Sequence, residues 1–270
     1  MVELFEQNIK TADRQSSKGN QLKWENAGVW YKADYTGYEG LSEYVISQLL
    51  KKSTLEPEEF VEYQLETIKY KSMEYKGVKC ADFLEPGWQL ITLERLFHNY
   101  FGQSLYKSIY SIRDYEKRIL FLADQVKRIT GLKDFGIYLS KLLTIDAFFL
   151  NEDRHMHNIA VLMNADGTFA YCPIFDQGAG LLADTRMDYP LDKDMFDLMK
   201  QCQAKTICED FDEQLDLAEA LYGTNLQFCF TKDDIDDVLQ NANIYSIEER
   251  TRVREILLAQ MRKYQYLFRK

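Results

Sequence analysis

LNEDRHMHNIAVLMNADGTFAYCPIFDQG, residues 150–178, breaks into parts that can be read one by one. Before it, the apolar run Asp146-Ala-Phe-Phe-Leu150 reads as the end of a helix, and Asn151 to Asn158 then form a charged loop. Two apolar runs follow, Ile159–Met163 and Phe169–Phe175, joined by Asn164-Ala-Asp-Gly167. Short apolar runs flanking an Asn/Asp/Gly turn predict a hairpin. Asp153 and Asn158 then sit at the hairpin mouth, and Asp176 sits where its second strand ends.

Two carboxylates and a carboxamide gathered by one hairpin can accept a proton and hold a divalent metal ion. Phosphoryl transfer asks for little else: an acid for the incoming hydroxyl, an Asn and an Asp for Mg²⁺, and a lysine for the phosphates. The spacing Asp-x-x-x-x-Asn, here Asp153 and Asn158, is similar to the protein-kinase catalytic loop, and Asp176-Gln-Gly178 stands where that family has Asp-Phe-Gly. The chain more closely resembles the HipA-like kinases and, beyond them, the phosphatidylinositol kinases. Their loop runs Asp-Arg-His-x-x-Asn, as does Asp153-Arg-His-Met-His-Asn158. Gln177 in place of Phe and the long hairpin suit the HipA-like group, and the chain has no GxGxxG nucleotide loop. A zinc reading of His155, His157 and Asp153 lacks a further ligand at a recognisable spacing.

Composition narrows the class. A chain of 270 residues with 46% hydrophobic and 28% charged residues has the makeup of a globular protein with a sizeable core, not of a disordered or fibrous one. Its formal charge of −10 argues against a nucleic-acid partner, which calls for a basic face. No apolar stretch approaches the ~20 residues of a membrane span, and MVELFEQNIK has no export signal, so the expected localisation is cytoplasmic. The cysteines, at 80, 172, 202, 208 and 229, form neither a zinc pattern nor a disulfide framework. The sequence leaves the oligomeric state open.

Residues 10–24 are polar and turn-prone, and they precede an alternating run, Gly28–Ala33, that reads as a strand carrying Lys32. A small-residue loop before such a strand suits backbone N–H groups facing phosphate, although a plain surface turn has the same composition. The family resemblance places the phosphate loop at Ser16-Ser17-Lys18-Gly-Asn20 and the nucleotide lysine at Lys32. Next comes a helix over Leu41–Lys51, with Glu43 one turn in, where a kinase holds the carboxylate that pairs with its strand lysine. Glu39 is a rival for that role. Val61–Lys71 reads as a strand, and Met73–Phe83 as a strand pair turning at Lys76-Gly77. By resemblance, Val78–Leu84 leads into the hinge against which adenine stacks.

From Trp88 the pattern predicts helices: one through Leu90, Leu93, Leu96, Phe97 and Tyr100, a long second from Leu105 to Ile129, and a third from Phe135 to Phe149 that delivers the catalytic loop. Ala179–Pro190 reads as irregular. Further helical segments are expected near 193–202, 212–222, 232–240 and 247–268, with Thr231 and Ser246 as N-caps.

The expectation is a two-lobed α+β kinase-like fold, with a small antiparallel-sheet lobe over 1–84 and a helical lobe over 85–270. The resemblance implies transfer of the ATP γ-phosphoryl group to a protein Ser or Thr. Asp153 would serve the hydroxyl, Asn158 and Asp176 would hold Mg²⁺, and Lys32, positioned by Glu43, would neutralise phosphates. Arg154 and His155 would support the loop or face phosphate, and Ser16 or Ser17 would be an autophosphorylation site. The alternatives are a lipid or small-molecule kinase of the same fold, and a nucleotide-binding interaction module that no longer transfers phosphate.

Overall fold

The structure, a computed structural model, describes residues 1–9 and 21–269. In chain order its elements are β1 (Val2–Glu3), β2 (Lys23–Asn26), β3 (Val29–Ala33), α1 (Glu39–Leu50), β4 (Gln64–Tyr70) and β5 (Met73–Ala81). Next come β6 (Trp88–Thr92), α2 (Leu93–Phe101), α3 (Leu105–Tyr110), α4 (Tyr115–Thr130), α5 (Phe135–Phe149), β7 (Ala160–Asn164) and β8 (Phe169–Tyr171). The chain ends with α6 (Met195–Gln201), α7 (Phe211–Tyr222), α8 (Lys232–Asn241) and α9 (Ile247–Lys263). Among the described residues, no helix is long and apolar enough to cross a membrane. The molecule comprises two compact units. One holds Met1–Phe83, Asp176–Cys202 and Phe228–Lys270, and the other holds Leu84–Phe175 and Gln203–Gln227.

The first unit is built on a five-stranded sheet ordered β1-β4-β5-β3-β2, antiparallel except for the β1–β4 pair. Successive side chains on a strand point to opposite faces. On β3 this sends Tyr31 and Ala33 into a core with Leu4, Trp24, Ile68 and Tyr70, where the Trp24 and Tyr70 rings meet edge to face at 5.4 Å. Lys32 therefore points to the other face. α1 packs against β3, β4 and β5 with Leu41, Val45, Ile46 and Leu49 buried, and α8 packs against α1. Thr231 and Ser246 cap α8 and α9 through the N–H groups of Asp234 and Glu249, each in a reciprocal capping box.

The second unit pairs a three-stranded sheet, β6-β7-β8, with a helical group in which α5 packs against α4 and α7. α5 is buried on almost every face, and Leu150, in the left-handed region at φ 54°, turns the chain out of it. The hairpin turn is closed by Asn164, whose Oδ1 accepts from the N–H groups of Asp166 and Thr168. Only Phe169–Tyr171 of the second apolar run is a strand, since pairing stops just before Cys172-Pro173.

Three expectations about elements are corrected. Trp88–Thr92 is a strand, not a helix start: Trp-Gln-Leu-Ile-Thr pairs antiparallel with β7, and Thr92 then caps α2 by accepting from the Arg95 N–H. The long second helix is two, because Asp114 accepts from the Lys117 N–H and starts α4 afresh. Met73–Ala81 is a single strand. The turn lies at Lys71-Ser72, both at positive φ (48° and 64°), which neither residue type signals.

Gly77 has a different task from turning the chain: it lets β5 approach β3. A Cβ there would lie 2.1 Å from the Lys32 carbonyl oxygen, which is backbone and has no rotamer by which to move away. Gly77→Ala should therefore lower unfolding free energy by about 1–3 kcal/mol, the usual cost of overpacking. Urea denaturation would show it, and a loss under about 0.5 kcal/mol, the range of a surface change, would contradict the close approach.

Candidate active site

In the sheet unit the charged residues converge on Asp176. Lys32 Nζ lies 2.5 Å from Glu43 Oε1 and 2.8 Å from Asp176 Oδ1, and it donates to the Tyr63 hydroxyl at 3.4 Å. Glu43 Oε2 accepts from the Gln177 N–H at 3.0 Å, and the Ser42 hydroxyl donates to the Gln177 carbonyl at 2.8 Å. One turn of α1 therefore fixes both the lysine and the backbone that carries Asp176. Asp176 itself has φ 61°, a left-handed conformation that a non-glycine residue keeps only when its surroundings enforce it. Glu39, the rival for the lysine, instead accepts from the N–H groups of Tyr35, Thr36 and Gly37 at the start of α1.

The electrostatics follow from burial. Desolvation alone would lower the Lys32 pKa, but the Asp176 and Glu43 carboxylates outweigh it and hold the ammonium well above its usual range. Burial also raises the Glu43 carboxyl, and Lys32 opposes that rise. The Tyr63 hydroxyl, buried beside Glu43, is pushed well above its usual range and stays neutral.

Two members of this cluster escaped the sequence reading. Tyr63 precedes β4 and looked like any alternating strand residue. Lys23 looked like the end of a polar loop, but it opens β2 directly across from Lys32, with its Nζ 4.0 Å from Asp176 Oδ2. The turn Ala27-Gly28, at φ 51° and 77°, sets that register and is the signal that could have revealed it.

In the helical unit the catalytic-loop candidate is pinned from beneath. Asp146, buried in α5, accepts from Asn151 Nδ2 at 3.0 Å and from Arg154 Nε at 3.1 Å. The Arg154 guanidinium also donates to the carbonyls of Asn158 at 3.0 Å and Phe175 at 2.7 Å, and the Thr206 hydroxyl donates to the Arg154 carbonyl at 2.6 Å. At 1% exposure, Arg154 holds the loop from inside. Asp153 accepts from Asn158 Nδ2, at its carbonyl (2.8 Å) and at Oδ2 (3.2 Å), while His155 Nε2 stands 3.8 Å from Asp153 Oδ1. Both bonds use the Asn158 amide nitrogen. A carboxamide oxygen and a carboxylate are the hard donors that Mg²⁺ takes. Ser16, Ser17 and Lys18 lie outside the described residues.

No family model and no curated protein matches the sequence. Solved structures do. A proinflammatory kinase of Helicobacter pylori, CtkA, superposes with TM-score 0.65 at 16% identity, over 97% of this chain and 95% of that one. The HipA of a Shewanella oneidensis toxin–antitoxin system, solved with HipB and operator DNA, superposes with TM-score 0.54 at 16% identity. That match covers 94% of this chain and 66% of HipA. The fold is that of the HipA-like kinases. Its parts are the ones described above, a five-stranded sheet with α1 and a helical portion with the β7–β8 hairpin.

The Asp146–Arg154 pair yields a stability prediction with a pH signature. Arg154→Met leaves a buried carboxylate uncompensated, at an expected cost of about 3–5 kcal/mol at neutral pH. Burial raises Asp146 from 3.8 to about 6 even with Arg154 in place. A folded-state value above the unfolded one means the folded protein binds the extra proton, so this group's contribution to stability falls as pH rises through that window. The deficit of the variant should therefore be smaller at pH 5 than at pH 8 in urea titrations. A loss independent of pH would contradict the assignment.

Proposed function

We propose that the protein is a kinase, dependent on ATP and Mg²⁺, that transfers the γ-phosphoryl group to a Ser or Thr hydroxyl of a protein substrate. One observation carries the reading: a strand lysine is bonded at once to a helix glutamate and to the aspartate of Asp176-Gln-Gly178. That is the division of labour phosphoryl transfer requires, a placed cation for phosphates beside a carboxylate for the metal. The fold shared with CtkA and HipA supports it, as the first is described as a kinase.

In this reading Asp153 orients the acceptor hydroxyl and takes its proton, and Asn158 holds Asp153 in place through its amide nitrogen. Asn158 and Asp176 are the residues that would hold Mg²⁺, whose charge would offset that of the phosphates. Lys32, positioned by Glu43, neutralises the α/β-phosphates. His155 stands beside Asp153 as a polar neighbour, and Arg154 positions the loop without touching substrate. Ser16, Ser17 and Lys18 are assigned to the nucleotide phosphates, and a phosphate on either serine would add about −1.5 to −2 charges beside the nucleotide and expel it. The first stretch of the small lobe would end near residue 84, the chain returning to that unit over Asp176–Cys202 and Phe228–Lys270, and the enzyme would be cytoplasmic.

The test is incubation with γ-labelled ATP and Mg²⁺ in three arms: generic protein, lipid vesicles and no added substrate. Label should enter protein, and Asp153→Asn should reduce transfer by about 100-fold or more, the low end of general-base contributions, with melting temperature and ATP binding unchanged. Label on lipid alone would replace the acceptor, and label nowhere would leave a nucleotide-binding interaction module. In the no-substrate arm, peptide mass spectrometry should find phosphate on Ser16 or Ser17. Phosphate elsewhere would discard the loop switch and keep the kinase.

A further inference from the structure

β3 carries Lys32, α1 carries Glu43, and the segment between them is closed by one side chain. Asp34, just past Lys32, accepts from the Gly40 N–H with Oδ1 at 2.6 Å and from the Tyr245 hydroxyl with Oδ2 at 2.9 Å. Its own N–H donates to the Lys76 carbonyl of β5. Gly40 lies in the first turn of α1, about one turn ahead of Glu43. A Cβ on Gly40 would lie 2.6 Å from the Tyr245 hydroxyl oxygen, 2.8 Å from Asp34 Oδ1 and 2.9 Å from the Gly77 Cα, so glycine is what lets α1 come this close. The exit of β3, the start of α1, β5 and the approach to α9 thus meet at one carboxylate.

The charges around this carboxylate oppose one another. Burial, and then the charge of Glu39 in α1, raise Asp34 from 3.8 to about 7, against the Gly40 and Tyr245 hydrogen bonds and Lys76 of β5. Glu249 of α9 pairs with Lys76 at 3.3 Å. Burial also pushes Tyr245 well above its usual range, so its hydroxyl donates rather than ionises. The ionised carboxylate is the tighter tie: it accepts at both oxygens and faces a helix N-terminus, where negative charge is favoured, whereas a proton on it competes with the Tyr245 donor. We propose that Asp34 is a positioning residue for the Lys32–Glu43 pair, binding the strand that carries the lysine to the helix that carries the glutamate. The inference rests on the kinase reading, in which that pair serves the nucleotide phosphates. Its signature is a conflict between stability and binding. A folded-state value above the unfolded one means that ionising Asp34 costs stability as pH rises between 3.8 and about 7, while the tighter tie improves ATP binding as Asp34 ionises.

The test is isothermal titration with ATP and Mg²⁺, together with thermal melts, across pH 6 to 8.5 for wild-type protein, Asp34→Asn and Tyr245→Phe. Ionisation of ATP itself affects all three proteins alike, so the differences between them carry the result. At pH 8 Asp34→Asn, which cannot ionise, should melt no lower than wild type yet bind ATP about fivefold or more weakly, the low end of coupling between linked sites. At pH 6 the two should bind alike. In Tyr245→Phe, where the carboxylate has lost a donor, the tightening of ATP binding should move to higher pH. A folded Asp34→Asn that loses stability and affinity together would make Asp34 a structural residue and overturn the proposal, as would wild-type affinity in that variant at pH 8. If Asp34→Asn does not fold, Tyr245→Phe decides, and a pH dependence identical to that of wild type overturns the proposal. Wild-type protein that binds ATP at no pH would overturn the kinase reading itself, whereas ATP binding that is the same in all three proteins overturns this inference alone.

Discussion

The buried ion pair between Lys32 and Glu43, extended to Asp176, is the constraint on which the sheet unit depends. A lysine on the α1 side of a strand is costly to bury, and the cost is met only if α1 delivers Glu43 and the chain returns Asp176 to the same point. Much of the local structure reads as a consequence. Gly77 lets β5 lie tight against β3, the Glu39 carboxylate gathers N–H groups at the start of α1, and Ser42 and Glu43 bind the Gln177 backbone. The left-handed Asp176 is the strained residue that this scaffold supports.

The loop from Asn151 to Asn158 is held differently. There the chain uses one buried guanidinium, Arg154, to bond Asp146, the Asn158 carbonyl and the Phe175 carbonyl together. Beginning and end of the hairpin are thereby tied to α5, and Asp153 and Asn158 are left to hold each other.

The parts of this architecture legible in the sequence were those with local signals. The hairpin announced itself through Asn164 to Gly167, the caps of α8 and α9 through Thr231 and Ser246, and the loop residues through the spacing of Asp153 and Asn158. Lys32 and Glu43 were named by the family resemblance, on a strand and a helix that the residue pattern marked. What stayed hidden was set by pairing between distant segments. Trp88–Thr92 looks helical until β7 is beside it, β1 is two residues that pair with β4, and the Lys71-Ser72 turn lacks Asn or Gly. Lys23 and Tyr63 join the Lys32 cluster through contacts that include Asp176, more than a hundred positions away. The depth of Arg154 followed from the burial of Asp146, which an apolar helix end does not reveal.

The claim most exposed to test is that the carboxylate gripped by Lys32 is where metal and nucleotide meet. Melting temperature with saturating ATP, in Mg²⁺ and in chelator, addresses it directly. A ligand at 100 times its dissociation constant stabilises the folded state by about 2.7 kcal/mol, worth several degrees in a chain of this size. The account predicts that rise with ATP and Mg²⁺ together and a clearly smaller one in chelator. Equal shifts in both conditions would contradict it.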